Sequence, residues 1–387
     1  MTLAVAGLIG TTTASAQPKA NAPNTADIAE RIVGTTANVK AGEIVQIFGA
    51  ATDMSLLEDL AIAVQKRGAS SIITVWSESA EKKVIERVPD TFDAKTSAAE
   101  LALAKVIDVI IAIPAVRDFS VYEKWPVKRA QMRTKASHPI AETMRKRNVR
   151  QIMLDNDLAP SAARAKSYGI SEAELSGLFW AGIGADYAAL ESRAKSLVAR
   201  LAKGTELRIS APNGTDIKMK VKGRRIIASD GVLSDTDVKA GGIGLSVWLP
   251  AGEIILTPVP GTAEGKIVDD RMVMFEKEIL GVTAEVKAGK ITTISAKSGW
   301  DVVKSHYEGA GAGRDEISSI DFGINPAIKA SAKLEAWMIA GMVSLVTGDN
   351  TTFGGTNKEP FQLRFSMPGT TVTLDGKPLV EAGVLKD

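Results

Sequence analysis

The sequence predicts an α/β N-terminal domain with a mainly parallel sheet, followed by a strand-rich α+β C-terminal domain. In residues 27–203, short apolar runs alternate with segments of helical periodicity, a pattern typical of parallel strands joined by helices. From Thr205 onward the pattern changes to short strands separated by turn residues, over residues 204–387. The chain has 387 residues, of which 45% are hydrophobic and 24% charged, and this is enough for two domains with their own cores.

The N-terminal half begins with a predicted helix over residues 27–38, in which Ile28, Ile32 and Val33 share one face. Gly68 is the predicted stop of the next helix, which starts near Ser55. The remaining predictions are strands at 44–48, 71–76, 106–113 and 151–154, a basic amphipathic helix over 139–147, and a helix or helix pair over 171–202.

The C-terminal half begins with a predicted hairpin, because the Asn213-Gly214 turn separates two alternating segments at 206–210 and 217–221. Further strands are predicted at 245–249, 253–257, 265–268, 272–275, 283–286 and 291–294, with a helix over 331–337 and a final turn at Asp375-Gly376.

Composition excludes several classes of protein. The net charge is +2, from 47 basic and 45 acidic side chains, and no basic cluster is interleaved with the sparse aromatic residues, so we expect no nucleic-acid partner. The absence of cysteine excludes disulfides, thiol catalysis and zinc–thiolate sites. Neither of the glycine-rich phosphate-binding motifs follows a predicted strand, so nucleotide binding is not predicted.

The first residues resemble a targeting segment. Residues 1–16 combine an apolar stretch with the small-residue pattern Ala14-Ser15-Ala16, which predicts a signal peptide cleaved near Ala16 and a periplasmic or secreted protein. Residues 17–26 form a polar linker. The basic residues that usually open a signal peptide are missing, so the true start is expected upstream of Met1; the alternative is a disordered tail rich in alanine and threonine. No apolar run is long enough to span a membrane.

Two glutamates stand at glycine-rich bends. Glu253 follows the glycines at 241–244 within the segment 249–254, and Glu316 follows the glycines at 309–313. Carboxylates held at bends can chelate or bridge divalent ions, so the pair predicts a metal site. The alternative is that both are ordinary turn residues.

The same segments resemble a known family. Residues 249–268, 315–326 and the FGGTN sequence at 353–357 are similar to the C-terminal half of the thermophilic metallo-aminopeptidases of the aminopeptidase T and aminopeptidase S type. Residues 32–43 resemble that family's opening, so the similarity covers nearly all of the chain after the predicted signal peptide. The resemblance implies an aminopeptidase T-like fold, a homodimer, and metal-dependent removal of N-terminal residues from peptides with zinc, cobalt or manganese. It also implies that Glu253 and Glu316 are two of the metal ligands.

The other ligands of that family have no counterpart in the sequence. Its first histidine is expected within 343–348, its tyrosine within 349–353 and its final histidine-x-aspartate within 358–364, and these segments contain none of them. The candidates for replacement ligands are Asp321, Asp349, Glu359 and His306, the last being one of only two histidines in the chain.

Two alternatives to the aminopeptidase therefore stay open. One is an inactive or repurposed relative that binds a peptide or a small carboxylate and needs no metal, and the other is a ring-cleaving dioxygenase on the same scaffold. Arg364 favours the first, because a guanidinium beside an expected metal-binding acid would repel a dication and pair with Glu253 or Glu316. The acidic run 155–157, after a predicted strand, predicts either a helix cap or the lining of a cleft.

Overall fold

The computed structural model describes residues 24–114, 126–275, 277–330 and 333–386. The predicted signal peptide and most of the predicted linker lie outside these residues. The first described helix begins at Thr25, two residues before the predicted start of the folded part. In the described part of the chain, no helix combines the length and the apolar character that a bilayer crossing needs.

The first sheet is entirely parallel, as predicted. Its strands lie in the order β2-β1-β3-β4-β8. They are β1 (Ile44–Ala50), β2 (Ser70–Trp76), β3 (Val109–Ala112), β4 (Arg150–Leu154) and β8 (Ser246–Leu249).

Helices connect these strands and lead on to the second half. The helices are α1 (Thr25–Arg31), α2 (Met54–Lys66), α3 (Glu78–Arg87), α4 (Ala98–Ala104), α5 (Val127–Lys146), α6 (Ala162–Ser167), α7 (Glu172–Ile183), α8 (Tyr187–Leu201), α9 (Asp235–Ala240) and α10 (Asp301–Gly309). A π-helical turn over Ile32–Thr36 continues α1, so the predicted first helix is confirmed. The predicted helix pair is likewise confirmed as α7 and α8.

The second sheet is antiparallel and has eight strands in the order β12-β11-β10-β6-β5-β16-β17-β18. The predicted Asn213-Gly214 hairpin is confirmed, with Ser210 opposite Asp216. The strands are β5 (Glu206–Ser210), β6 (Asp216–Lys220), β10 (Glu264–Met274), β11 (Lys277–Lys287), β12 (Lys290–Ser295), β16 (Thr371–Leu374), β17 (Lys377–Glu381) and β18 (Val384–Leu385).

The third sheet is also antiparallel, in the order β15-β14-β13-β9-β7, and it carries the predicted site segments. Its strands are β7 (Ile226–Ser229), β9 (Glu253–Leu256), β13 (Ile317–Gly323), β14 (Val343–Thr347) and β15 (Arg364–Ser366). The second and third sheets together give the predicted strand-rich C-terminal half.

A short bend connects the first sheet directly to the third. Strand β8 comes after the predicted domain boundary at 203/204, and yet it completes the first sheet. The predicted boundary therefore does not separate the first sheet from the other two. The chain then turns through residues 250–252 directly into β9. Gly252 has φ +123°, and a Cβ there would lie 2.5 Å from the Cβ of Asn325, so both the backbone and the space require glycine.

Three local predictions differ from the structure. The strands predicted at 265–268 and 272–275 are one continuous strand, β10. The basic helix predicted over 139–147 is α5, which begins at Val127 and runs through Pro139. The predicted helix at 331–337 is absent from its described residues, 333–337, which are turn and irregular backbone. Tertiary contacts outweighed a weak helical pattern there.

Candidate functional site

One face of the third sheet is apolar and the other carries polar side chains. Side chains alternate between the faces of a strand, and residues paired across neighbouring strands share a face. The apolar face is fully buried and consists of Ile254, Leu256, Ile320, Phe322, Val343, Leu345 and Phe365. The register places the opposite set on the other face, here called the polar face. It carries the polar residues Ser229, Glu253, Ser319, Asp321, Ser344, Arg364 and Ser366, together with Ile227, Ile255 and Val346.

An ion pair lies at the centre of the polar face. Arg364 donates from Nη1 to Oδ2 of Asp321, which also accepts at Oδ1 from the Ser319 hydroxyl, 3.2 Å away. The guanidinium carbon of Arg364 lies 4.3 Å from the centroid of the Trp337 ring, so the cation is also held against an aromatic face. The predicted pairing of Arg364 with Glu253 or Glu316 is therefore corrected, since its partner is Asp321.

Glu253 is the second acid of the polar face. Its backbone pairs with Gly323 on one side and with Ser229 on the other, so it sits inside the sheet, and only 4% of its surface is exposed. Burial raises the pKa of the Glu253 carboxyl to about 7, and the negative charge of Asp321 adds to the effect. Arg364, and hydrogen bonds from Asn156 and Trp337, act in the opposite direction.

Asn156 links the first sheet to this site. It follows β4, and its side-chain amide donates to the carbonyl of Pro250 at 2.8 Å and to Oε1 of Glu253 at 3.5 Å. The next helix, α6, is capped by the side chain of Ser161 and not by a residue of the run 155–157. Of the two interpretations of residues 155–157, the lining of a cleft is supported at Asp157, which lines the same cavity as Arg364.

Two serine hydroxyls flank the acids without partners. The Oγ atoms of Ser229 and Ser344 are buried and make no hydrogen bond to any residue that the structure describes. Ser344 lies directly opposite Asp321 in the register, and Ser229 lies opposite Glu253. Buried hydroxyls usually have partners, so the two orphans mark positions where a bound molecule or water would be stabilised.

A cavity of about 320 Å³ opens at the Arg364 end of the polar face. We call it the Trp337 cavity. Its walls include Tyr168, Arg271, Glu335, Trp337, Gln362 and Arg364. A second cavity, of about 300 Å³, opens at the Glu253 end and is lined by Ser229, Trp248 and Phe353 among others. Both volumes are at the lower end of the range for small-molecule sites.

The second predicted metal ligand lies elsewhere. Glu253 is paired with Gly323, at the end of β13, while Glu316 precedes the start of that strand. Seven residues of extended chain separate these positions, so the backbones of the two glutamates are roughly 20 Å apart. A single metal ion needs carboxylate oxygens within about 2.6 Å, so Glu253 and Glu316 do not share a site, and the predicted pair is wrong.

The replacement ligands are also dispersed, with the exception of Asp321. Asp349 accepts hydrogen bonds from the backbone and hydroxyl of Thr351, which stabilise its own turn. Glu359 accepts from the backbone of Phe361. His306 is exposed on α10, with its ring 4.9 Å from that of Phe275.

The donor set therefore does not suit the expected zinc, cobalt or manganese. Among the described residues, no three histidine, aspartate or glutamate side chains are grouped so that they could hold a metal ion. The two acids on the polar face, Glu253 and Asp321, share it with the guanidinium of Arg364, whose positive charge opposes a dication.

The sequence pattern indicates Glu253, Asp321 and Arg364 as site residues, but it does not indicate Trp337 or Ser344. Two of the segments in which the missing ligands of the resembled family are expected, 343–348 and 358–364, reach the site through β14 and through the first residue of β15. They bring Ser344 and Arg364 there. Trp337 lies in the segment predicted as a helix, which does not form. Alternation along β14 places Ser344 on the face opposite Val343 and Leu345, but only the register places it beside Asp321.

Comparison with known proteins supports this architecture. The model of a protein family described as "NicX: 2,5-dihydroxypyridine 5,6-dioxygenase" matches residues 185–387. A search of curated proteins finds no match.

Two solved structures share the fold. Wild-type AmpT (aminopeptidase T) from Thermus thermophilus is 16% identical in sequence, with 94% of this chain and 99% of that chain covered and a TM-score of 0.70. The 2,5-dihydroxypyridine dioxygenase from Pseudomonas putida KT2440 is 15% identical, with 94% and 96% covered and a TM-score of 0.59. The predicted aminopeptidase T-like fold is thus confirmed, and at these identities the likeness extends to the fold alone.

Proposed function

The chain belongs to the 2,5-dihydroxypyridine 5,6-dioxygenase (NicX) family. We propose that this member binds a small planar organic anion at Arg364, without a metal ion. The observation that carries the proposal is the setting of Arg364. Asp321 and Trp337 hold its guanidinium in one orientation at the wall of a cavity, where a metal-dependent relative would need a ligand for a cation.

Arg364 has donors left for such a ligand. A guanidinium carries five N–H groups in a fixed fork, and the bond to Asp321 uses Nη1. The side chain is 32% exposed, in contrast to 2% for Asp321, so the cation faces the cavity while its partner is enclosed. A carboxylate or ring oxygen can accept two parallel hydrogen bonds from this fork.

The walls favour a flat ligand. Trp337 and Tyr168 contribute aromatic surface, and Val346 and Met272 contribute apolar surface. The family's name contains a hydroxylated pyridine, 2,5-dihydroxypyridine, and such a ring is flat and carries polar substituents. Both properties match aromatic walls beside a guanidinium. We therefore expect hydroxylated or carboxylated aromatic and heteroaromatic rings as ligands.

The second candidate function is metal-dependent catalysis, as an aminopeptidase or a ring-cleaving dioxygenase. Family membership favours it, and Glu253 and Asp321 are the residues that would hold an ion. Metal-dependent catalysis ranks second because, among the described residues, too few ligands lie together to hold an ion. The other candidate ligands, Glu316, Asp349, Glu359 and His306, are dispersed.

Titration calorimetry with benzoate, nicotinate and 2,5-dihydroxypyridine tests the first function. We expect Arg364→Gln to weaken binding by about tenfold or more, because a charge-assisted hydrogen bond is lost. The matched control is Arg208→Gln, which removes a surface arginine paired with Asp216 on the second sheet. Equal affinity in Arg364→Gln and wild type would overturn the assignment.

Elemental analysis after dialysis against zinc, cobalt, manganese and iron separates the two functions. Metal at background in the wild type would argue against the metal-dependent candidate. One equivalent or more, lost in Glu253→Gln, would replace it with the metal-dependent candidate.

A further inference from the structure

The wall of the Trp337 cavity contains a carboxyl group without a partner. Glu335 lies two residues before Trp337, is half-buried, and makes no hydrogen bond or ion pair with the residues that the structure describes. Burial raises its pKa to about 7, and the nearby charge of Asp269 adds to the effect.

A second acid lies behind it. Asp269 is 1% exposed and accepts hydrogen bonds from the backbone N–H groups of Arg271, at 2.9 Å, and of Ser366, at 3.1 Å. It thereby ties β10 to β15, the strand that begins with Arg364. Burial raises the pKa of Asp269 to about 7 as well. Two neighbouring acids disfavour each other's charge, so the pair resists carrying two negative charges together.

The nearby cations are engaged elsewhere. Arg271 donates to Glu278 at 2.8 Å and to the backbone carbonyl of Lys333 at 2.8 Å, and Lys333 itself pairs with Glu278 at 2.6 Å. Arg364 is paired with Asp321. The charged or titratable groups around Glu335, from each element that surrounds the cavity, are Asp157, Tyr168, Asp269, Asp270, Arg271, Glu278, Lys333 and Arg364.

An anion bound at Arg364 would share the Trp337 cavity with Glu335, because both side chains line it. If Glu335 were ionised, the two negative charges would repel each other in a partly enclosed space. If it were protonated, its hydroxyl could donate a hydrogen bond to the ligand, so that a cation and a neutral acid hold the anion together.

We propose that the Trp337 cavity binds its ligand together with one proton, which Glu335 takes up from solvent as the anion binds at Arg364. The inference rests on the proposed function, because it requires an anion in this cavity. Because binding takes up a proton, the affinity for the anion falls as the pH rises. Above neutral pH, each further pH unit costs about a factor of ten in affinity, since the free protein must first be protonated.

Titration calorimetry with benzoate, which is ionised throughout, tests the coupling at pH 6 and pH 8 in buffers of different ionisation enthalpy. At pH 8 we expect uptake of close to one proton and about tenfold weaker binding than at pH 6. Glu335→Gln should abolish the uptake and bind equally at both pH values. The control is Glu285→Gln, which changes an exposed glutamate on β11 and should behave as wild type.

The outcomes separate the two proposals. Binding of benzoate by the wild type without proton uptake would overturn the coupling and leave the anion site standing, and this result does not depend on any variant folding. Unchanged uptake in Glu335→Gln would also overturn the assignment to Glu335. No binding of any probe at pH 6 would overturn the proposed function, and the coupling with it.

Discussion

Arg364 and Asp321 form an ion pair two strands apart on the third sheet, with β14 between them. Asp321 is enclosed, whereas Arg364 reaches the Trp337 cavity. The pair therefore presents a positively charged surface where the resembled peptidases need a cluster of metal-binding side chains.

Removing one partner of this pair should cost more than removing both. Arg364→Met leaves Asp321 buried without its cation, and we expect a loss of about 3 kcal/mol in the free energy of unfolding. The double variant Asp321→Leu with Arg364→Met should lose clearly less, because no uncompensated charge remains. Urea unfolding of the two single variants and the double variant measures the coupling. Additive losses would mean that the pair is not energetically linked.

Glu253 should make stability depend on pH. Its folded-state pKa of about 7 lies above the unfolded value, so its stabilising contribution is complete below the unfolded pKa and is lost as pH rises through 7. Glu253→Gln removes this loss. Between pH 4.5 and pH 8, the free energy of unfolding of the wild type should fall by about 3 kcal/mol more than that of the variant. The control is again Glu285→Gln, for which a flat difference is expected; a flat difference for Glu253→Gln would contradict the prediction.

Replacing the guanidinium with an acid should create a metal site. Arg364→Asp would add a third carboxylate beside Asp321 and Glu253, and three carboxylates suit manganese or calcium. We expect the variant to retain metal in elemental analysis when the wild type does not. The double variant Arg364→Asp with Glu253→Gln is the control and should lose most of the gain. No metal in Arg364→Asp would mean that these acids do not converge closely enough.

Gly252 should tolerate no side chain. Gly252→Ala introduces a Cβ into contact with Asn325 at a positive φ, so we expect a loss of about 2–4 kcal/mol. Gly223→Ala is the matched control, because Gly223 also has a positive φ (+74°) but open space around it, and about 1 kcal/mol is expected. Thermal unfolding of both variants gives the comparison. Equal losses would assign the whole effect to backbone strain.

We also infer that the protein is exported and forms a homodimer. N-terminal sequencing of the mature protein should begin at Gln17, directly after Ala16. An intact N-terminus in the cytoplasmic fraction would contradict export.

Light scattering of the mature protein measures its mass in solution and tests the inferred homodimer. The mass of a single chain would contradict the dimer.

Several features followed from the sequence because they depend on neighbours along the chain. Apolar runs that alternate with helical segments predicted the parallel sheet, and Asn213-Gly214 predicted the hairpin of β5 and β6. The glycine-rich bend indicated Glu253 as a site residue, and Glu253 lines a cavity. Local periodicity and turn chemistry are sufficient for such elements.

The composition of the site depended on tertiary structure. Glu253 and Glu316 are equivalent in local pattern, yet the antiparallel pairing of β9 with β13 places them at opposite ends of one strand. The same register brings Ser344 and Arg364 to Asp321 from segments 20 or more residues away. Which side chains share a face is decided by strand register, and register is set by long-range packing of the apolar face, which no local pattern encodes.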